Sequence, residues 1–199
     1  MAAGRTKPAV SGRLGDAIAS LARALSLLPA PGMLIGGIAV IARGVARATR
    51  DVDATVSSEG ASLDEVLSVL DEQGLRPRID DALGFAHANQ VLLLRHTESG
   101  VDIDVSIAWL PFELEAIRAS ENLVLAGTTV PVARAEDLVI YKSVAWRPQD
   151  QQDVERLLTL HGRAMDLARV TRIVAELGAA LDEPERIGAL EEIIRRALS

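Results

Sequence analysis

The stretch Met33-Leu-Ile-Gly36-Gly37-Ile38-Ala-Val-Ile-Ala-Arg43-Gly44-Val-Ala-Arg47-Ala-Thr49-Arg50-Asp51-Val52-Asp53 decides how the rest of the chain is read. Met33 to Ile35 form a short apolar run, two glycines follow, and Ile38, Ile41, Ala42 and Val45 recur at helical spacing. The pattern predicts strand, tight turn, helix. Gly36 and Gly37 leave the backbone N–H groups of the helix start uncovered, where a phosphate can meet the positive end of the helix dipole. Beyond the helix, Val52 points into the core of a second strand. The period of two then sends Asp51 and Asp53 together to the opposite face. A phosphate cradle followed by two parallel carboxylates points to a magnesium-dependent site for a nucleoside triphosphate.

With 199 residues, 49% of them hydrophobic, the chain has enough material for one core, or for one core with a helical annex. It contains no cysteine, which excludes disulfides, thiolate metal sites and cysteine nucleophiles, and is compatible with a reducing cytoplasm. His87, His96 and His161 are too scattered to form a metal-ligand pair. The longest apolar run, Met33 to Ala42, is roughly half of a membrane span. No membrane segment or secretory leader is expected, and the localisation expected is cytoplasmic. A net charge of −7 argues against a general nucleic-acid binder but leaves room for a local basic patch.

Outward from the opening stretch, residues 1–11 are read as a flexible N-terminus. Leu14, Ile18, Leu21, Leu25 and Leu28 mark a first helix that ends at Pro29-Ala-Pro31-Gly32. Ser62 and Glu65 form a capping box ahead of a helix that stops at Gly74. Residues 75–88 carry no clear period. Gln90–Arg95 and Val101–Ala108 read as a hairpin whose second strand sends Val101, Ile103, Val105 and Ile107 to one face and Asp102, Asp104 and Ser106 to the other. Pro111–Ala119 reads as a short helix, and Leu123–Leu125 with Thr129–Val132 as an edge hairpin around Gly127. From Glu136 onward there are only helices: Glu136–Arg147, broken by Pro148, then Asp150–His161, Leu167–Leu181 and Pro184–Leu198. The organisation expected is a core over 12–133 and a C-terminal helical part over 134–199.

Gly36-Gly37, thirteen further residues, Asp51-Val52-Asp53 and the later Ile103-Asp104-Val105 resemble the signature of the polymerase β-like nucleotidyltransferase superfamily. Within it the chain resembles small bacterial nucleotidyltransferases related to the AbiEii toxins. That likeness rests on Gly44-x-x-Arg47-x-Thr49-Arg50-Asp51-Val-Asp53, on His96-x-x-Ser99-Gly100-x-x-Ile-Asp104, and on Ala135–Lys142 followed by Gln151-Gln-Asp153. It implies an α+β fold, a mixed sheet flanked by helices, with a C-terminal helical part. It also implies two Mg2+ ions held by Asp51, Asp53 and Asp104, with Asp104 helping to activate the acceptor hydroxyl, and an NTP as donor with its phosphates on Gly36 and Gly37. Asp102 lies on the same strand face and spacing alone does not choose between the two; Asp104 is preferred because the family's third carboxylate follows the Ser-Gly turn at this distance. Arg43 and Arg47, one helical turn apart, together with Arg50 and, from the helical part, Lys142, are further candidates for binding phosphate.

Plainer readings stand beside these. Asp102 is read as a solvated sheet face, Arg43 and Arg47 as the wet side of a helix, His96 as a turn residue, and Trp109 and Trp146 as packing rather than base stacking. The function expected is transfer of an NMP from an NTP to a macromolecular acceptor, a tRNA or a protein hydroxyl, by a toxin whose partner is an antitoxin. The alternatives are an inactive nucleotide-binding or antitoxin module and a small-molecule nucleotidyltransferase. The last requires an acidic pocket for a cationic acceptor, for which Glu113, Glu115, Glu136 and Asp137 are candidates.

Overall fold

Gly36 adopts a positive φ of 61°, a backbone state closed to most side chains, and this turns strand β1 (Gly32–Ile35) directly into helix α2 (Gly36–Ala42). The turn belongs to a computed structural model that describes residues 12–199; the N-terminal segment 1–11 lies outside the described residues. The chain divides into two compact units, the first ending at Val132 and the second running Ala133–Ser199.

The first unit is built on a sheet of seven strands. Besides β1 these are β2 (Val52–Ser57), β3 (Leu75–Pro77), β4 (Val91–His96), β5 (Asp102–Ala108), β6 (Glu121–Leu125) and β7 (Thr128–Val132), in the order β3-β4-β5-β2-β1-β7-β6. The sheet is mixed: β2 runs parallel to β5 and β1 to β7, while the other neighbours are antiparallel. Its alternation is the one the sequence displays. In β5, Ile103, Val105 and Ile107 are buried on one side, whereas Asp102, Asp104 and Ser106 remain partly exposed on the other. Helix α1 (Gly12–Leu27) buries Ile18, Leu21 and Leu25, and α3 (Leu63–Glu72) starts with the expected box, Ser62 accepting from Glu65 N–H while Glu65 accepts from Ser62 N–H.

Residues 75–88, which show no period in the sequence, contain β3 and helix α4 (Ala82–Asn89). Three residues are too few to display an alternation, and β3 exists because it pairs with β4. Pro77 fits there because β3 is an edge strand, where a missing N–H is tolerated. Helix α5 (Pro111–Arg118) completes this unit, with Glu113 accepting from the N–H groups of Trp109 and Leu110.

The second unit consists of α6 (Ala135–Ala145), α7 (Pro148–His161), α8 (Leu167–Ala180) and α9 (Arg186–Leu198), with a 3-10 turn at Gly162–Ala164. Trp146, at a φ of 51°, ends α6, and Pro148 starts the next helix at its first turn, where a proline costs no hydrogen bond. Among the described residues no helix is long and apolar enough to cross a membrane.

Candidate functional site

Strand register determines which carboxylates meet. Asp53 on β2 pairs directly with Asp104 on β5, and Val52 with Ile103, so Asp51 flanks the same pair of strands one position before the ladder begins. Directly paired residues in a sheet share a face. Asp51 is exposed, and Asp53 and Asp104 are partly exposed. Burial raises the Asp104 carboxyl above its ordinary value; Arg78 opposes this, and the charges of Asp51 and Asp102 push the same way as burial.

The glycine pair stands at the β2 edge of this row, because Ile35 pairs with Asp53. A Cβ on Gly36 would lie 1.8 Å from Asp53 Oδ2, and one on Gly37 would lie 2.7 Å from Thr49 Oγ1 and 3.2 Å from Arg47 Cζ. Only bare backbone fits between Asp53 on one side and Thr49 with Arg47 on the other. The N–H of Gly37 points to Asp53 Oδ2 at 3.4 Å, and the Thr49 hydroxyl donates to Asp51 Oδ1 at 2.7 Å. Gly36, Gly37, Arg47, Asp51, Asp53 and Asp104 are therefore gathered on one part of the first unit, with the exposed Arg50 adjoining them in sequence.

Two of the candidate phosphate ligands, Arg43 and Lys142, fall elsewhere. Helix α2 ends at Ala42 and Gly44 has a φ of 91°, so Arg43 and Arg47 do not share a helix face and Val45 lies past the helix end. Arg43 reaches Glu121 at 2.5 Å and the Val132 carbonyl at 3.1 Å, on β6 and β7. Lys142 belongs to the helical unit and is buried there; its Nζ donates to Asp150 at 2.7 Å and lies 3.4 Å from Asp153. Burial pushes the Asp150 carboxyl up, but hydrogen bonds from Arg147 and Lys142 outweigh it and hold the group below its ordinary value.

His96 is a core residue rather than a plain turn residue, bonded to Ser20 Oγ at 3.1 Å and to Ser99 Oγ at 2.8 Å. Trp146 lies 5.6 Å beneath the Arg186 guanidinium, but Trp109 is 60% exposed and does not pack.

The sequence reading misses Arg78. Its guanidinium binds Asp104 at 2.7 Å and Asp102 at 3.0 Å. Arg95 also binds Asp102, at 2.7 Å, and holds its carboxyl below the ordinary range. The signal available was Arg76-Pro77-Arg78, charged residues spaced by two, in a segment too short to read as a strand. Among the described residues, no three acidic or histidine side chains converge tightly enough to hold an ion as they stand. Asp104 is turned to Arg78 and Asp53 to Gly37. The donor chemistry nonetheless fits a hard cation, since it consists of carboxylate oxygens alone, two of them on adjacent paired residues.

No protein-family model matches the chain, and no curated protein matches it in sequence. Solved structures do match in fold. One is the solution structure of the antibiotic-resistance factor ANT(2'')-Ia, at 20% identity and a TM-score of 0.56 over 92% of this chain and 97% of that one. ANT(2'')-Ia in complex with adenylyl-2''-tobramycin matches at 18% identity and a TM-score of 0.56, over 86% and 99%. An antigenic nucleotidyltransferase-like protein from Paracoccidioides brasiliensis matches at 14% identity and a TM-score of 0.54, over 92% and 94%. The chain thus has the α+β polymerase β-like nucleotidyltransferase fold.

Proposed function

We propose that this chain is a Mg2+-dependent nucleotidyltransferase that moves an NMP from an NTP to an acceptor hydroxyl. The observation that carries this reading is the direct register of Asp53 with Asp104, beside a glycine pair into which no side chain fits. Asp51, Asp53 and Asp104 would hold the divalent ions, once Asp104 leaves Arg78; the ions would neutralise triphosphate charge when bound.

In the transfer, the acceptor oxygen forms a bond to the α-phosphorus and the bond from that phosphorus to the bridging oxygen breaks. Pyrophosphate leaves, and the hydroxyl proton passes to the Asp104 carboxylate. Gly36 and Gly37 admit the phosphates, and Arg47, held over Gly37, and Arg50 supply positive charge to them. Lys142 is assigned to holding the helical unit together.

The finer reading is an AbiEii-type enzyme acting in the cytoplasm on a tRNA or protein hydroxyl, with an antitoxin as partner; the sequence signature supports it. A small-molecule acceptor is the second reading, favoured by the likeness to ANT(2'')-Ia, whose complex contains adenylyl-2''-tobramycin.

Two measurements test the core reading. Mg2+ with one of the four NTPs should raise the melting temperature by mass action on the native state. Asp51→Ala and Asp104→Ala should each lower transfer of label from an α-labelled NTP by at least about a hundredfold. Retained turnover in either variant removes the roles assigned here.

A further inference from the structure

Resting on the nucleotidyl-transfer reading above, we propose that the cavity lined by Arg76, Pro77, Arg78, Arg95 and Thr97 is the acceptor subsite. It takes an acceptor that carries a phosphate close to its reacting hydroxyl.

One row across the sheet runs Leu93, Asp104, Asp53, Ile35 by direct pairing, and Arg78 joins its outer end through a 3.0 Å bond from its N–H to the Leu93 carbonyl. The neighbouring row runs Arg76, Arg95, Asp102. The glycines that admit the donor therefore stand at one end, the carboxylates in the middle and the arginines at the opposite, β3 end. A molecule in the arginine cavity approaches Asp104 from the side away from the donor, which is where an acceptor hydroxyl must enter to attack the α-phosphorus in line.

The cavity is about 320 Å³, within the range of small-ligand sites. Three of its five lining residues are guanidiniums, which donate hydrogen bonds and accept none, and Pro77 offers no N–H. The Thr97 hydroxyl is the one side-chain acceptor in the wall. Side-chain donors outnumber side-chain acceptors in this wall, which suits a ligand rich in acceptors, and phosphate matches the planar fork of arginine best. Arg76 meets Asp71 at 3.3 Å through Nε alone, with both side chains about half exposed or more, and Arg95 meets Asp102 through Nε. The terminal amino groups of both arginines remain for a ligand.

The same wall disfavours a polycation. Of the four acids that an aminoglycoside pocket could use, three are engaged in other roles: Glu113 caps α5, Glu136 pairs with Arg134, and Asp137 pairs with Arg134 and Arg169. Asp71, Asp102 and Asp104 pair with these arginines and offset their charge, so what favours phosphate here is the fork geometry of the remaining Arg76 and Arg95 N–H groups rather than net charge.

The test measures binding and transfer separately on the full chain. Binding of a short single-stranded RNA with a free 3'-hydroxyl, of ribose 5-phosphate, of ribose and of tobramycin is measured by calorimetry without NTP. Expected is a preference for a phosphate-bearing probe over ribose and tobramycin, and its weakening by about ten- to a hundredfold in Arg76→Gln/Arg95→Gln. Whichever phosphate probe binds tighter identifies the source, RNA end or phosphorylated metabolite. With labelled NTP, the double variant should raise the acceptor KM with little change in the NTP KM.

Equal binding of ribose and ribose 5-phosphate, tighter binding of tobramycin, or a double variant within twofold of wild type overturns the subsite. Phosphate binding that is lost in the double variant, without NTP-dependent transfer to any probe, upholds the subsite and counts against the transferase reading instead.

Discussion

Lys142→Met removes an ammonium from between two buried carboxylates while keeping the length of the side chain. Nζ lies 2.7 Å from Asp150 and 3.4 Å from Asp153, and each of those aspartates is 1% exposed. Taking one partner from a buried ion pair costs about 3–5 kcal/mol, because a charge stays behind in a poorly solvating environment. Asp150 keeps part of its compensation, since it also accepts from Arg147 Nε at 2.7 Å and from the Arg147 backbone N–H at 3.1 Å. The low end of the range, about 3 kcal/mol, is therefore expected. For a chain of this size that corresponds to a fall of roughly 6–12 °C in melting temperature.

The assay is urea unfolding followed by Trp146 fluorescence in a Trp109→Phe background, because Trp146 caps the helix that carries Lys142. Adding Asp153→Asn to Lys142→Met should restore part of the loss by removing a stranded charge. A destabilisation below about 1 kcal/mol, accompanied by lost NTP binding, would refute the structural role and return Lys142 to the phosphates.

Two other outcomes follow from the same geometry. Gly36→Ala forces a Cβ to within 1.8 Å of Asp53 Oδ2 at a φ of 61°, so it should cost about 1–3 kcal/mol and abolish Mg2+-NTP stabilisation in a thermal shift assay; unchanged NTP binding would show that Asp53 is not held against the turn. Acid titration has a sign set by Asp150. Its folded carboxyl titrates below the ordinary value of about 4, so the stability it adds is complete above that pH and is lost as the pH falls through the depressed value. Asp104 is raised and acts in the opposite sense, its penalty at neutral pH easing as acid protonates it. Urea midpoints should therefore hold between pH 7 and 5 and drop below about pH 4, with a shallower drop in Asp150→Asn.

Features that depend only on neighbours along the chain are legible in the residues alone. The alternation of Ile103, Val105 and Ile107 with Asp102, Asp104 and Ser106 decided which face of β5 is polar, and the Ser62 and Glu65 box positioned the start of α3. Gly36-Gly37 marked a turn that no side chain could occupy. These signals are local because period, caps and positive φ angles are properties of a few consecutive residues. Features that depend on register between distant segments are fixed only in the folded chain. Only pairing of β2 with β5 brings Asp53 beside Asp104, and only pairing of β3 with β4 turns an unreadable segment into the strand that aims Arg78 at that carboxylate. Lys142 shows the same limit: the sequence displays a cation on a helix, but burial beside Asp150 and Asp153 gives it partners within its own unit. A three-residue edge strand and a buried ion pair carry too little local pattern to be read, because both are stabilised by partners far along the chain.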